Sequence, residues 1–371
     1  MRYYLIAGEA SGDLHGSALV RALRQQDGQA DCRAWGGALM REAGAEVVKD
    51  YRELAFMGFL EVAKNIRTIM GNFAFCKADV LTWKPDVLVL IDYPGFNLRI
   101  AKWAKKQGIR VFYYISPQLW AWNARRVHTI KRCVERLFVI LPFEQSFYEQ
   151  YDYPVDFVGH PLMDVIPDYP YQEGFKQEMG LDDRPVIALL PGSRKQEISR
   201  MLKEMLKMER HFPDHQLVVA GAPAQPAALY QALIAESGAK TATLCQNRTY
   251  DLLRIADLAL VTSGTATLET ALFGVPQVVC YQGNALSYQI AKRLIRVKYI
   301  SLVNLIVDRP LVKELIQKEF TEENLVKELQ FLQTAAQQKR IAAGYTELRE
   351  RLGGGGASQR TAELIIKYLK D

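Results

Sequence analysis

The sequence lacks most of the signals that would assign it to a well-marked class. No apolar run reaches the roughly 18 residues of a membrane-spanning helix, and Met1 leads directly into a predicted strand, so we expect no signal peptide. There is no Walker A loop, no HExxH or GxSxG motif, and no clustered His/Cys set. We therefore expect neither P-loop nor serine-hydrolase chemistry, and no protein-bound metal or other cofactor. The five cysteines are scattered without CxxC spacing, which predicts buried, reduced thiols in a cytoplasmic protein.

Composition describes a soluble globular protein of two domains. The chain has 371 residues, of which 49% are hydrophobic and 24% charged, and this length exceeds one ordinary core. Its net charge of +6 is mild. It favours an anionic ligand or a membrane surface over nucleic acid, which would require a concentrated basic stripe. The sequence makes no prediction of oligomeric state.

Short apolar runs alternate with helical stretches along the whole chain. Such runs, apolar on both faces and separated by helices, predict parallel sheets covered on both sides, and hence two doubly wound, Rossmann-like α/β domains with a cleft between them. We place the linker within the Pro- and Tyr-rich stretch Pro161–Tyr171, which gives domains of residues 1–165 and 166–344. Segment 345–371 is a candidate for packing back on the first domain. The predicted strands are Tyr3–Ala7, Val87–Ile91, Val111–Ile115, Leu137–Leu141, Val155–Val158, Val186–Leu190, Leu217–Ala220, Ala242–Cys245, Leu258–Val261 and Gln277–Cys280.

The most informative segment joins a buried strand to a helix through Ser263, Gly264 and Thr265. A helix start offers free N–H groups and the positive end of a dipole, and Gly264 lets a ligand approach the backbone. Glu269, one turn into the helix, could accept hydrogen bonds from two adjacent sugar hydroxyls. Diphosphate at the helix start and ribose at the carboxylate together describe a nucleotide-sugar site.

A second phosphate-type loop follows the first strand of the second domain. Gly192 and Ser193 form a predicted turn, and Arg194 places a guanidinium for bidentate contact with phosphate. The alternative for this loop is a helix-capping turn with a solvated Arg194. A diphosphate leaving without metal must be neutralised by helix dipoles and arginine, and this half of the chain supplies both.

In the first domain, the loop after the first strand has GxxxGxxxG spacing, which disfavours NAD because that cofactor needs GxGxxG. Parallel sheets bind ligands at the carboxyl ends of their strands, so Glu9 and His15 are candidate acid/base or hydroxyl-binding groups and Gly12 a candidate donor contact. For Asp13 the leading interpretation is a helix N-cap.

Asp92 ends a very apolar strand, where partial desolvation would raise its pKa and suit it as a general base. A turn-capping role is the alternative. Asp86 stands at the start of the same strand and therefore at the far edge of the sheet, so a structural role is the leading interpretation for it.

Two features point to lipid. Trp120 and Trp122 follow another strand and could form a sugar platform, an apolar wall for a lipid, or a buried domain-interface wall. The segment 54–75 has more apolar residues than one core-facing stripe needs, which is typical of an interfacial helix or an acyl groove. The alternative is a buried helix with a broad apolar face. Its apolar residues are Phe56, Met57, Phe59, Leu60, Val62, Ile66, Ile69, Met70 and Phe73.

Together these loops resemble the lipid-A-disaccharide synthases, membrane-associated bacterial glycosyltransferases of GT-B architecture. The resemblance implies inverting transfer of 2,3-diacylglucosamine from its UDP derivative to 2,3-diacylglucosamine 1-phosphate, giving the β-1,6-linked disaccharide precursor of lipid A and UDP. The first domain would then bind the acceptor and the second the donor, at the cytoplasmic face of the inner membrane. The matching segments are Ala7-Gly-Glu-Ala-Ser-Gly-Asp13, Lys84-Pro-Asp-Val87, Ser116-Pro-Gln-Leu-Trp-Ala-Trp122, Leu189-Leu-Pro-Gly-Ser-Arg194, Ser263-Gly-Thr-Ala-Thr-Leu-Glu269 and Ser301-Leu-Val-Asn-Leu305.

The same resemblance gives functional weight to Glu9, Asp86, Arg194 and Asn304. Three residues after Asp92, where some members of the family have a second Asp, this chain has Gly95, which leaves Asp92 or Glu9 to serve as base.

Two other functions fit parts of the pattern. A UDP-N-acetylglucosamine 2-epimerase shares the two α/β domains and a similar donor site, but would need neither the apolar segment nor the paired tryptophans. A nucleotide-sugar or lipid-binding protein without turnover is suggested only by Gly95. Detergent dependence would separate the first from a transferase, and UDP release the second.

Overall fold

The computed structural model describes residues 1–54, 66–122, 124–167, 169–283 and 297–371. These residues form two compact units. Unit 1 comprises residues 1–164 and 352–371, and unit 2 comprises residues 165–351.

Unit 1 is built on a parallel sheet in the order β3-β2-β1-β4-β5-β6-β7. Successive residues of β1 enter two different cores: Tyr4 and Ile6 pack in one, and Tyr3 and Leu5 in the other. A strand that is apolar on both faces is stable only when helices cover both faces, which explains the uninterrupted apolar runs of the sequence. The strands are β1 (Arg2–Ala7), β2 (Asp31–Gly36), β3 (Glu46–Asp50), β4 (Val87–Ile91), β5 (Val111–Tyr114), β6 (Arg136–Val139) and β7 (Asp156–Phe157).

The helices of unit 1 include the last one of the chain. Asp164 accepts hydrogen bonds from the N–H groups of Gly356 (2.5 Å), Ala357 (3.1 Å) and Ser358 (3.1 Å), and so caps the start of this C-terminal helix. The helix packs along the first helix of the chain. The helices are α1 (Ala10–Gln26), α2 (Ala38–Glu42), α3 (Ile66–Trp83), α4 (Pro94–Lys106), α5 (Leu119–Trp122), α6 (Val127–Cys133), α7 (Phe143–Glu149), α8 (Leu162–Val165, which ends at the first residue of unit 2) and, after those of unit 2, α17 (Ala357–Lys370).

Unit 2 repeats the design with a parallel sheet in the order β10-β9-β8-β11-β12-β13. Its strands are β8 (Val186–Leu190), β9 (Gln216–Gly221), β10 (Thr243–Gln246), β11 (Leu258–Thr262), β12 (Gln277–Tyr281) and β13 (Lys313–Ile316). Its helices are α9 (Phe175–Glu178), α10 (Lys195–Leu206), α11 (Ala227–Ser237), α12 (Thr249–Ile255), α13 (Thr265–Leu272), α14 (Leu302–Val307), α15 (Glu322–Leu332) and α16 (Ala335–Arg351).

The predicted class of two doubly wound α/β domains is confirmed. All ten predicted strands are present, and β4 and β8 have the predicted bounds. Three strands were missed: β2, β3 and β13. They carry charged residues and are not continuously apolar, because β3 and β13 lie at sheet edges and β2 lies beside one.

The five cysteines are free, and four of them are buried. Within the described part of the chain, no helix has both the length and the apolar character needed to cross a bilayer.

Candidate active site

The loop between β11 and α13 presents an open helix start at the carboxyl edge of the unit 2 sheet. Gly264 and Thr265 are exposed, and a Cβ placed on Gly264 would have no neighbour within 4 Å among the described residues. Ser263 is half-buried, and its hydroxyl donates a hydrogen bond of 2.7 Å to the carbonyl of Ile300. This hydroxyl keeps its acceptor lone pairs. The N–H of Thr267 bonds to the carbonyl of Gly264 at 3.2 Å, whereas the N–H groups of Thr265 and Ala266 come before the first helical bond. An anionic group therefore fits at this point.

Glu269 lies on α13, one turn beyond the open loop. The hydroxyl of Tyr250, at the start of α12, donates a hydrogen bond of 2.8 Å to Oε1 of Glu269. Burial raises the pKa of Glu269, and the bond from Tyr250 opposes that shift. Tyr250 follows β10, so the rule about carboxyl ends of strands would have found it, but its sequence reads as an ordinary amphipathic helix start.

The Gly192–Arg194 loop leaves β8, the strand adjacent to β11. Gly192 has a φ of +103°, and a Cβ there would lie 3.0 Å from Oε2 of Glu197 and 3.5 Å from Cγ2 of Thr262. The loop thus needs glycine both for its backbone and for its close approach to the end of β11. Arg194 is exposed and pairs with Glu197 at 3.0 Å; Ser193 is also exposed. The guanidinium is therefore held at the start of α10, on a loop that follows the strand next to β11.

Asn304, to which the resemblance gives functional weight, is buried and fully hydrogen bonded. Its Nδ2 donates to the carbonyl of Val312 and to Oε1 of Glu314, both at 2.9 Å. Its Oδ1 accepts from the N–H groups of Leu311 (2.9 Å) and Val312 (3.0 Å). No hydrogen-bonding capacity of the amide is left for a substrate in this arrangement, in which Asn304 stabilises the segment 311–314, and its role in catalysis stays a prediction.

Glu314 on β13 organises the same region and was missed from the sequence. Its carboxylate accepts from the N–H groups of Ile300 and Ser301, both at 3.0 Å, and from the Ser301 hydroxyl at 2.8 Å. Since Ile300 also accepts from Ser263, Glu314 and the helix-start loop are linked through one backbone segment.

In unit 1, Glu9 and Asp92 leave the carboxyl ends of adjacent strands. Ala7 of β1 pairs with Ile91 of β4, so the two acidic residues follow the paired ends. Burial, with a smaller contribution from the charge of Glu9, raises the pKa of Asp92 to about 6. Glu9 is exposed and makes no side-chain capping bond at the start of α1. Asp92 therefore has the environment of a general base that operates near neutral pH.

Asp86 lies at the opposite edge of this sheet. Its carboxylate accepts a hydrogen bond of 2.7 Å from the N–H of Arg2, where β1 begins. The structure does not bring it to Glu9 and Asp92, because strands β1 and β4 separate the two edges. This position agrees with the structural interpretation that leads for Asp86, and its catalytic role stays a prediction that the resemblance alone supports.

The predicted donor contact at Gly12 needs correction. Gly12 is buried on α1, where a Cβ would lie 3.1 Å from Cβ of Ala7, so this glycine serves helix-to-strand packing.

Asp13 caps a helix, although not its own: it accepts from the N–H groups of Gly37 (2.7 Å) and Met40 (3.1 Å) at the start of α2. Burial lowers the pKa of His15 to about 4, which keeps the imidazole neutral.

Trp120 lies half-buried on α5 and packs edge-on against Phe143, with ring centroids 4.9 Å apart. Nearby, Glu144 is buried, and its carboxylate accepts from the N–H groups of Leu141 (3.0 Å) and Ile140 (3.2 Å). Burial raises the pKa of Glu144 to about 7. Trp120 is thus tied into unit 1, while for Trp122 the backbone alone is described.

The apolar segment is described only in its second half. Phe56, Met57, Phe59 and Leu60 lie outside the described residues, and the side chain of Ile66 is not described. Ile69 is half-buried and packs on a core cluster, as the buried-helix alternative for this segment expects. Met70, Phe75 and Leu81 on the same helix are exposed, by 62%, 45% and 47%.

Comparison with known proteins places this fold and these loops in one family. The family model for lipid-A-disaccharide synthetase matches residues 3–367. The chain is 41% identical to the lipid-A-disaccharide synthase of Trichlorobacter lovleyi, covering 100% of this chain and 98% of the relative. It is 40% identical to that of Geobacter sulfurreducens, covering 99% and 97%.

Solved structures that resemble the chain share its fold at low identity. A UDP-GlcNAc 2-epimerase from Neisseria meningitidis, bound to UDP-GlcNAc, has a TM-score of 0.70 at 15% identity, covering 99% of this chain and 100% of that one. The glycotransferase of kitacinnamycin has a TM-score of 0.64 at 16% identity, covering 99% and 98%.

The two Rossmann-like units, each with candidate ligand loops at the carboxyl edge of its sheet, define a protein of GT-B architecture. Within that class, the chain belongs to the lipid-A-disaccharide synthase family.

Proposed function

We propose that the chain transfers 2,3-diacylglucosamine from its UDP derivative to the 6-hydroxyl of 2,3-diacylglucosamine 1-phosphate. In this reaction the acceptor oxygen forms a bond to the anomeric carbon as the bond from that carbon to the UDP oxygen breaks. UDP leaves with the electron pair, the hydroxyl proton passes to a base, and the anomeric configuration inverts. The product is a β-1,6-linked disaccharide 1-phosphate of lipid A biosynthesis.

Donor recognition is assigned to unit 2, and one observation carries this assignment: the start of α13 is open at Gly264, with Glu269 one turn beyond it. The N–H groups of the helix start would bind the diphosphate, and Glu269 the ribose hydroxyls. Arg194 would turn from Glu197 to the phosphate and neutralise charge that develops on the leaving group.

Acceptor activation is assigned to unit 1, with Asp92 as the base. A pKa of about 6 leaves its carboxylate ionised at neutral pH and still basic enough to accept a proton in the transition state. Glu9 lies beside it and would hold the sugar hydroxyls, and its charge supports the basicity of Asp92.

The epimerase alternative rests on fold alone. The similar epimerase structure has 15% identity to this chain, whereas relatives at about 40% identity over nearly the full length are named synthases. Likeness of fold at such identity does not carry function, because GT-B folds host several reactions.

We also propose that the chain is a peripheral protein of the cytoplasmic face of the inner membrane. The exposed arc of α3 carries Met70, Phe75 and Leu81, with Arg67 as its charged member. An apolar helix face beside a cation suits an anionic bilayer, in which both lipid substrates reside.

The decisive experiment incubates the protein with UDP-2,3-diacylglucosamine and 2,3-diacylglucosamine 1-phosphate in detergent and analyses the products by mass spectrometry. We expect the disaccharide 1-phosphate and an equal amount of UDP, and loss of both with Asp92→Asn. Conversion of UDP-N-acetylglucosamine to its 2-epimer, with no disaccharide, would establish the isomerase instead. Binding of both sugars without UDP release would establish a non-catalytic protein.

A further inference from the structure

At Asp92 the backbone has a left-handed conformation, which is uncommon for residues other than glycine. Asp92 and Tyr93 have φ angles of +43° and +51°, so two successive non-glycine residues are left-handed. On the neighbouring strand, Ile115 has a φ of +65°. The paired strand ends Ile91 and Tyr114 place these left-handed positions side by side. Such conformations are unfavourable for side chains with a Cβ, above all for β-branched ones, and persist only where surrounding contacts hold them.

Two buried side chains hold this turn by its main-chain oxygen. The carbonyl of Asp92 accepts a hydrogen bond of 2.7 Å from Nδ2 of Asn97 and one of 2.5 Å from the hydroxyl of Tyr113. Asn97 and Tyr113 are fully buried. Two donors from different elements, α4 and β5, therefore converge on one oxygen.

The orientation of the Asn97 amide follows from its neighbours. Its Nδ2 also lies 3.2 Å from the carbonyl of Ile91 and 3.4 Å from the carbonyl of Ile6. The reversed amide would place an oxygen against three carbonyl oxygens, which is repulsive. Nδ2 of Asn97 therefore donates towards main-chain carbonyl groups near the ends of β1 and β4, beside Asp92.

The other side of the turn is fixed by shape. A Cβ on Gly8 would overlap the ring of Tyr93, so this ring lies directly over the glycine that follows β1. The turn that carries Asp92 is therefore fixed on one side by hydrogen bonds from Asn97 and Tyr113, and on the other side by packing between Tyr93 and Gly8. Buried donors are costly unless they bond, and here Nδ2 of Asn97 and the hydroxyl of Tyr113 both bond to the residue that the proposed function makes the base.

We infer that Asn97 and Tyr113 are positioning residues of the transfer reaction, which hold the main chain at Asp92 in its left-handed form and so keep the Asp92 carboxylate directed at the acceptor hydroxyl. The inference rests on the proposed function, because it takes Asp92 as the base. Neither residue touches substrate. Both act through the geometry of Asp92.

The test compares Tyr113→Phe with Tyr153→Phe. Tyr153 is a matched control because it is also buried in unit 1 and its hydroxyl donates to a main-chain carbonyl, that of Val134, at 3.0 Å. A misplaced base loses part of the roughly 10²–10⁴-fold that a general base contributes. We expect Tyr113→Phe to lower kcat by about tenfold with little change in either KM, and Tyr153→Phe to leave kcat within about twofold of wild type.

The pH profile supplies a readout that a merely structural role would not move. In the wild type, the acid limb of kcat/KM should lie near pH 6, where Asp92 ionises. We expect Tyr113→Phe to loosen the turn and expose the Asp92 carboxylate to more water. The pKa of Asp92 then falls towards its ordinary value, and the acid limb of kcat/KM moves to lower pH. Asn97→Ala should move it in the same direction. Thermal melts would identify variants that lose activity only because they unfold.

An active Tyr113→Phe enzyme with the kcat and acid limb of Tyr153→Phe would overturn the inference and leave the function intact. An active Asp92→Asn enzyme would overturn it as well, since the base would then be another group. If the wild type made no disaccharide, the proposed function would fail separately. In that case, carbon NMR titration of aspartate carboxyls, with the Asp92 signal assigned by its loss in Asp92→Asn, would still compare the pKa in wild type and Tyr113→Phe.

Discussion

The hydroxyl of Tyr250 donates a hydrogen bond of 2.8 Å to Oε1 of Glu269, so the proposed ribose-binding carboxylate is held by a neighbour that the sequence did not reveal. Glu269→Ala should weaken UDP binding by about 1.5–3 kcal/mol, because it removes charge-assisted hydrogen bonds. Tyr250→Phe should cost less, about 0.5–1.5 kcal/mol, because the carboxylate remains. Titration calorimetry with UDP measures both. Tyr345→Phe is the control, because it also removes a buried tyrosine hydroxyl from unit 2. That hydroxyl donates a hydrogen bond to the carbonyl of Val275.

The same pair predicts a pH effect with a definite sign. Burial raises the pKa of Glu269, and the bond from Tyr250 lowers it. Tyr250→Phe should therefore raise this pKa further, so that the loss of UDP affinity on acidification begins at higher pH. Identical pH profiles in Tyr250→Phe and Tyr345→Phe would show that Glu269 does not bind the nucleotide as an anion.

Arg194 tests the phosphate half of the donor site. Arg194→Ala should cost about 1.5–3 kcal/mol of donor or transition-state binding, because it removes a charge-assisted contact to phosphate. Arg184→Ala is the control: Arg184 is partly exposed and likewise pairs with a carboxylate, that of Asp182, but it precedes β8 and so lies at the other edge of the sheet. Wild-type kinetics in Arg194→Ala and Glu269→Ala together would rule out our placement of UDP.

Asp92→Asn should be more stable than the wild type at neutral pH while it loses activity. The folded state raises the pKa of Asp92 from 3.8 to about 6, so it binds the proton more tightly than the unfolded chain does. The contribution of Asp92 to stability is then greatest at low pH and is lost as pH rises from about 4 through about 6. Asparagine carries no charge to desolvate, so its gain in Tm should be present at pH 8 and vanish near pH 4. An equal change in Tm at both pH values would contradict this origin of the effect.

How far the sequence predicts the fold depends on burial. The strands that are buried on both faces, such as β4 and β8, read as unbroken apolar runs and were found with their bounds. The missed strands carry charges that the sheet periphery tolerates: Lys49 on β3 is half-exposed, and Glu314 on β13 accepts four hydrogen bonds. Charge within a short run removes the apolar signal that a single sequence offers.

The site divides in the same way. Loops after strands could be selected from the sequence because the carboxyl edge of a parallel sheet is fixed by topology. The side chains that hold those loops could not, since Asn97 and Tyr113 sit within apolar stretches that read as core. Their function depends on one main-chain oxygen and on a left-handed turn at Asp92, and neither leaves a pattern in residue types.

The proposed leaving-group chemistry predicts indifference to metal chelators. The start of α13 and the Arg194 guanidinium would neutralise the departing diphosphate, so EDTA should leave the rate of UDP release unchanged. A reproducible loss that Mg²⁺ or Mn²⁺ restores would show that a cation carries this charge. Arg194→Ala assayed with added Mg²⁺ sharpens the comparison, because a cation able to replace the guanidinium would rescue that variant.

The exposed arc of α3 gives the last prediction, which concerns the membrane. Met70, Phe75 and Leu81 are exposed side chains on a helix whose other face packs in the core through Phe73 and Cys76. Replacing these three exposed residues by serine removes apolar area worth about 25 cal/mol per Å² on burial in lipid. It also removes the contact between the rings of Phe75 and buried Trp35, whose centroids lie 6.0 Å apart. Sedimentation with vesicles rich in anionic phospholipid should therefore show weaker binding, while the thermal melt stays cooperative with a somewhat lower Tm from the loss of the Phe75 contact.

Two controls separate lipid contact from damage to the fold. Ile69→Ser changes a half-buried residue that packs on the core, so it should lower Tm without a selective loss of vesicle binding. Phe331→Ser removes an equally exposed aromatic (51%) from unit 2 and should change neither quantity. If the triple variant binds vesicles as the wild type does, α3 is not the docking face, and the lipid substrates must be reached by another surface.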